Sequence, residues 1–162
     1  MVLPVVAFEV AGERYGIAAA RVVEVVPAVP LRAVPGTVVG IAGLLRYRGR
    51  LLPVIDLGIV WAGRPSPARM SSRIVLCALE DEGGLAVAGS PPRLGVLAER
   101  VLRVAIVDPD AVEAADGPAT PGAPGLGRLV PDGDSVLQFV RVEELVPADV
   151  LASLEGEAEA AP

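Results

Sequence analysis

Asp56 closes the apolar run Leu52-Pro53-Val54-Ile55, the position of a phosphoacceptor or of one half of a general acid–base pair. Phosphoacceptor chemistry of the receiver kind also expects a lysine and an early acidic pair. The chain has no lysine, and its early acids, Glu9 and Glu13, are separated around a turn. Glu24 is the other carboxylate available for a hydrolytic pair with Asp56, but no spacing brings the two to a catalytic separation. Cys77 is the only cysteine. It lies in the apolar run Ile74-Val75-Leu76-Cys77, where a thiol is a small core residue and no neighbour would lower its pKa. The triplet Glu80-Asp81-Glu82 has the oxygen ligands a hard cation takes, yet it reads as a solvated turn. Gly122, Gly125 and Gly127 have the spacing of a phosphate cradle, but Pro121 and Pro124 interrupt it and no strand precedes it.

Two absences decide more than these candidates do. With no histidine, phosphohistidine transfer, Ser-His and Cys-His nucleophiles and nearly all transition-metal sites are excluded. With no lysine, Schiff-base chemistry and the Walker-type phosphate lysine are excluded as well. The sequence therefore gives no catalytic residue, no metal ligand set and no cofactor. The run Arg46-Tyr47-Arg48-Gly49-Arg50 is the polar break in an apolar stretch and reads as a Gly-containing turn between two strands.

The elements that must position these residues are short. The chain has 162 residues, 52% of them hydrophobic and only 3% aromatic, so its core is aliphatic. Residues 5–10 and 14–17 read as a hairpin turning at Gly12, and residues 38–56 as two strands turning at Gly49. Residues 18–26 are β-branched and fit either a strand or a helical turn. Pro53 predicts that its strand is an edge or is bulged. A brief helix is expected over 57–63, a linker over 64–67, and strands over 73–79, 94–98, 101–107 and 136–142. Loops are expected over 80–92 and 118–127. Residues 143–154 read as an amphipathic helix that Pro147 interrupts or restarts. Residues 155–162 form an acidic tail expected to be disordered. Many short strands punctuated by Gly and Pro predict a mainly β barrel or sandwich.

The net charge of −6, with arginines mostly scattered singly, provides no stripe for a phosphate backbone, so nucleic acid is not an expected partner. The N-terminal apolar stretch has no preceding positive charge and is broken by Glu9, so neither export nor membrane insertion is expected, and a cytoplasmic location is.

The segment from Gly43 to Leu57, reading Gly-Leu-Leu-Arg-Tyr-Arg-Gly-Arg-Leu-Leu-Pro-Val-Ile-Asp-Leu, resembles the central signature of CheW-like domains, in which Gly, Arg-Gly and Pro-Val-x-Asp-Leu recur at this spacing. Tyr15-Gly16-Ile17 with Val22, Glu24 and Val25 resembles the family's first hairpin. Leu94-Gly95-Val96-Leu97 before Val101 and Val104 resembles its later strand pair. Arg46-Tyr47 stands where commoner members have Asn-Leu, and Ala98-Glu99 where Val-Asp is usual. The Tyr-Arg-Gly form is similar to that of coupling proteins in alternative, Wsp-type chemosensory systems.

The resemblance implies two five-stranded SH3-like β-barrels packed side by side with a C-terminal helix, a CheW-like domain over residues 1–154. It implies a non-enzymatic adaptor that binds the regulatory domain of a CheA-type histidine kinase and the cytoplasmic hairpin tip of a chemoreceptor. The residues it assigns to partner binding are Val22, Glu24, Val25, Gly43, Arg48, Gly49, Gly95 and Val104. Read from residue types alone, Arg48-Gly49 is equally a turn whose arginine pairs with Asp56 or Glu24, the valines are core, and Gly43 and Gly95 are bulges. Asp56 reads as the cap of the helix after it or as a bond across the barrel junction. A general β-barrel scaffold serving another signalling assembly is the alternative function.

Overall fold

The computed structural model describes residues 2–34, 40–79, 89–113, 125–147 and 149–153. Among the described residues there are ten strands: β1 (Leu3–Val10), β2 (Glu13–Ala18), β3 (Val22–Pro27), β4 (Ile41–Tyr47), β5 (Arg50–Asp56), β6 (Arg73–Cys77), β7 (Leu94–Ala98), β8 (Arg100–Val107), β9 (Leu126–Asp132) and β10 (Ser135–Val140). Two short helices, α1 (Leu57–Ala62) and α2 (Pro109–Glu113), follow β5 and β8. The strands form two mixed five-stranded sheets, in the orders β8-β1-β2-β10-β9 and β3-β6-β7-β5-β4. The chain's two ends thus build the first sheet, and its middle builds the second. Beyond β4 the second sheet gains one bridge, in which Arg32 and Leu44 exchange backbone hydrogen bonds of 2.9 and 2.8 Å.

Strand alternation explains why the sequence reads as nearly unbroken apolar runs. On β6, Ile74 and Leu76 face a core within the second sheet, together with Leu52 and Val54. Val75 and Cys77, between them in sequence, face the opposite way into a larger core shared by both sheets. The first sheet does the same: Val5, Ala7, Leu137 and Phe139 fill its own interior, while Phe8, Val10, Tyr15 and Ile17 enter the shared core. Strands buried on both faces need no polar alternation. Phe8, Tyr15 and Trp61 stack in series, with ring centroids 5.8 and 4.5 Å apart, which ties α1 to the first sheet.

Each sheet curls around its own core, but neither closes, and this corrects the expectation of two closed SH3-like barrels. The edge strands β8 and β9, and likewise β3 and β4, are not paired by backbone hydrogen bonds. Pro131 on β9 and Pro27 on β3 occupy edge strands, where a missing donor breaks no central ladder. Side chains span both gaps instead. Arg103 on β8 donates to both carboxylate oxygens of Asp132 on β9, at 2.8 and 2.7 Å. The Tyr47 hydroxyl on β4 donates to Glu24 on β3 at 2.6 Å.

Other expectations meet the structure unevenly. Residues 22–27 are strand, which resolves the ambiguity at the β-branched cluster. Pro53 is not on an edge: β5 lies between β4 and β7, but its parallel pairing with β7 begins at Val54, so the proline removes no donor from that ladder. Strand β9 and helix α2 fall where only loop or no element was expected. The C-terminal helix is split as Pro147 suggested, into a 3-10 turn at Val142–Glu144 and helical residues 149–153. The expected loop 80–92 is described only from Gly89 onward, and the acidic triplet, Pro121, Gly122, Pro124 and the tail 155–162 lie outside the described residues.

The β4–β5 turn shows its cost directly. Arg48 has φ 47° and Gly49 φ 79°, the two left-handed residues of a tight two-residue hairpin. A Cβ on Gly49 would meet no atom within 4 Å, so only backbone strain opposes it. Gly49→Ala is therefore expected to lower unfolding stability by about 1 kcal/mol, read as a lower denaturation midpoint at unchanged slope.

Candidate functional site

The hairpin turn places Tyr47, Arg48 and Arg50 on one wall of a groove of about 550 Å3. Ala20, Val22 and Val23 form the facing wall, and Pro91 and Pro92 border it as well. Its lining joins the apolar side chains of Val22, Val23 and Leu52 to the arginines Arg48 and Arg50. Arg48 lies over the Tyr47 ring with its guanidinium carbon 5.2 Å from the centroid, a cation–π contact. Among the described residues, Arg46, Arg48 and Arg50 form no ion pair with a carboxylate, although the chain as a whole is acidic.

Glu24 is engaged by Tyr47 and not by Arg48. That bond holds the phenol's proton and so raises the Tyr47 pKa above the ordinary tyrosine value, with burial adding to the effect and Arg48 opposing it. Tyr15 is also raised, chiefly by burial and then by Glu13. Because the folded pKa of Tyr47 is raised, its bond to Glu24 is fully present below the unfolded-state value of about 10 and is lost as pH rises through the folded value. An ultraviolet tyrosinate titration should therefore place both midpoints above the ordinary value. Tyr47→Phe should leave one transition, that of Tyr15.

Asp56, the strongest catalytic decoy in the sequence, is 2% exposed and fully occupied. Its Oδ1 accepts from the Gly58 amide at 2.8 Å and the Ser66 hydroxyl at 2.6 Å, and its Oδ2 accepts from the Ser66 amide at 2.8 Å. This is the expected helix cap, extended to pin the loop after α1. Buried and bound to three donors, it is not paired with Arg48. Cys77 is fully buried, and desolvation, with a smaller push from Glu143, raises its pKa far from the reactive range. No cluster of ligating side chains fit for a metal exists among the described residues.

The residues assigned to partner binding are brought together only in part. Val22 and Arg48 line the groove, and Glu24 reaches it through Tyr47. Val25 is 37% exposed on the same edge strand. Gly49 forms the turn. Gly43 and Gly95 are buried: a Cβ on Gly43 would lie 2.6 Å from Leu31 Cβ, and one on Gly95 2.6 Å from Ile74 Cγ2. These glycines permit close packing within the second sheet. Val104 lies on β8 of the other sheet, 58% exposed, beside the equally exposed Ile106. Sequence reasoning gave no role to Tyr47 beyond its departure from the common pattern. Its place opposite Glu24 depends on the approach of β3 and β4, which no local signal reveals.

A family model for the CheW-like domain matches residues 4–150. The chain belongs to the CheW-like family. The family supports a general scaffold or adaptor role in chemotaxis signal transduction. The fold agrees with a solved relative, the scaffolding protein TtCheW from Thermoanaerobacter tengcongensis, at a TM-score of 0.71 and 23% identity over 92% of this chain and 90% of that one. No curated protein sequence matches the chain. No helix among the described residues of this CheW-like chain is long and apolar enough to cross a membrane.

Proposed function

We propose that this CheW-like protein is a cytoplasmic adaptor that couples chemoreceptors to a CheA-type histidine kinase, binding the kinase's regulatory domain and the receptor's cytoplasmic hairpin tip. The observation that carries the reading is a groove with apolar lining whose arginines, Arg48 and Arg50, form no ion pair among the described residues, while the buried Asp56 and Cys77 are held within the fold. A groove of this kind suits a helix or extended segment laid against apolar side chains, with guanidinium groups fixing its register. Family membership supports the same reading. The two sheets, each a curled relative of the SH3-like barrel, would present separate faces to the two partners. The Tyr-Arg-Gly turn favours an alternative chemosensory system over a flagellar one.

Separate titrations of the purified chain with a CheA-type regulatory domain and with a receptor hairpin fragment test this. Saturable binding to each is the expected result. Binding to neither, with the fold intact by circular dichroism, would leave the chain as a scaffold for some other assembly.

A further inference from the structure

Among the described residues one side-chain bond spans the open edge of the second sheet, and it uses Glu24, a carboxylate on the strand that faces the arginine-bearing hairpin. Glu24 on β3 faces the β4–β5 hairpin, which carries Arg46, Arg48 and Arg50. Glutamate and arginine on facing strand edges ordinarily pair. Here the Tyr47 hydroxyl takes Glu24 at 2.6 Å, and the ring supports the Arg48 guanidinium from below. The result is a groove that joins apolar lining to arginines free of ion pairs among the described residues, in a chain of net charge −6.

We propose that this groove selects an acidic partner segment, apolar on one face and carboxylate-bearing on the other, and that Tyr47 is the specificity-determining residue because it keeps Glu24 off Arg48. The claim deepens the adaptor reading and rests on it. Tyr47 has two tasks in this arrangement, and one ring performs both. Its hydroxyl occupies the internal competitor, and its face orients the guanidinium toward an incoming carboxylate. Removing the hydroxyl alone frees Glu24 to pair with Arg48, so that an external carboxylate must displace an internal one. Removing the Glu24 charge as well abolishes that competition.

The test uses the full chain and two acetylated probe peptides of equal length, one alternating glutamate with leucine and one with glutamine in place of glutamate. Anisotropy titrations should show the acidic peptide binding about tenfold tighter than its neutral counterpart, with the difference shrinking as salt is raised. Tyr47→Phe should weaken the acidic peptide by about threefold to fivefold, and adding Glu24→Gln should restore it, with thermal unfolding confirming that each variant folds. A structural role for Tyr47 would leave the double variant no better than the single one. Equal affinity for the two peptides, an unaffected Tyr47→Phe variant, or a failure of rescue each overturns the proposal. If these fail while the receptor hairpin and kinase domain still bind, the charge selection is wrong and the adaptor reading stands. If the peptides behave as expected while neither domain binds, the reverse holds.

Discussion

Asp56→Ala is expected to lower the unfolding free energy by about 3 kcal/mol, the largest stability loss of any single polar substitution considered for this fold. The carboxylate is buried and accepts three hydrogen bonds, from the Gly58 amide, the Ser66 amide and the Ser66 hydroxyl. Losing it removes the cap of α1, worth about 1 kcal/mol, and strands two loop donors in a part-buried site, worth about 1–3 kcal/mol more. For a domain of this size the melting temperature should fall by roughly 6–12 °C. Asp56→Asn should cost about half as much, since its carbonyl oxygen can still accept from Gly58 while its amide cannot accept from Ser66. If Asp56 instead belonged to a reactive centre, alanine would cost little stability, because reactive carboxylates are not normally saturated with structural donors. Urea denaturation of the three proteins distinguishes the cases.

The second large effect concerns binding. Arg48→Ala is expected to leave the fold intact and to weaken receptor-tip association by about 1–3 kcal/mol, the range for losing a charged hydrogen-bonding anchor. The structure makes the first half of this concrete. Arg48 is exposed, forms no ion pair among the described residues, and lies over the Tyr47 ring, so its truncation empties no core. Its left-handed backbone conformation is no worse for alanine than for arginine. Circular dichroism and a binding titration together decide the matter: unchanged affinity, or a collapsed fold, returns Arg48 to a purely structural role.

Much of this fold was legible because its signals are local. Gly12 and Gly49 mark hairpins, the β-branched runs mark strands, and Asp56 before Leu57 marks a helix cap. Each depends on a few adjacent residues whose backbone preferences agree with the final structure. What escaped depends on distant pairings. Strand β9 contains Pro131 and follows a Gly- and Pro-rich stretch, so it reads as loop until its antiparallel pairing with β10 is known. The parallel pairings of β10 with β2 and of β7 with β5 leave no trace in local sequence. They are also what sends the chain's middle and its ends into different sheets. Closed barrels were what the family resemblance implied; among the described residues, side-chain links span the open edges of the two sheets instead.

The candidate site divides in the same way. Arg48 and Glu24 were legible by type and by family pattern; Glu24 lies on β3 and Arg48 in the turn of the facing β4–β5 hairpin. Tyr47 was legible only as a departure from the pattern, and its bond to Glu24 needs the tertiary approach of β3 to β4. Gly43 and Gly95 sit apart from that pair, closely packed within the second sheet. They fit the family pattern well, yet their surroundings are Leu31, Ile74 and neighbouring backbone, so close packing already accounts for them.

The most direct measurement of the coupling role is retention of a CheA-type regulatory domain on an immobilised receptor hairpin tip, with and without this chain. The account expects the kinase domain to be held only when the chain is present, and to be released when Arg48 is replaced. Equal retention in its absence, or no retention in its presence, would contradict it.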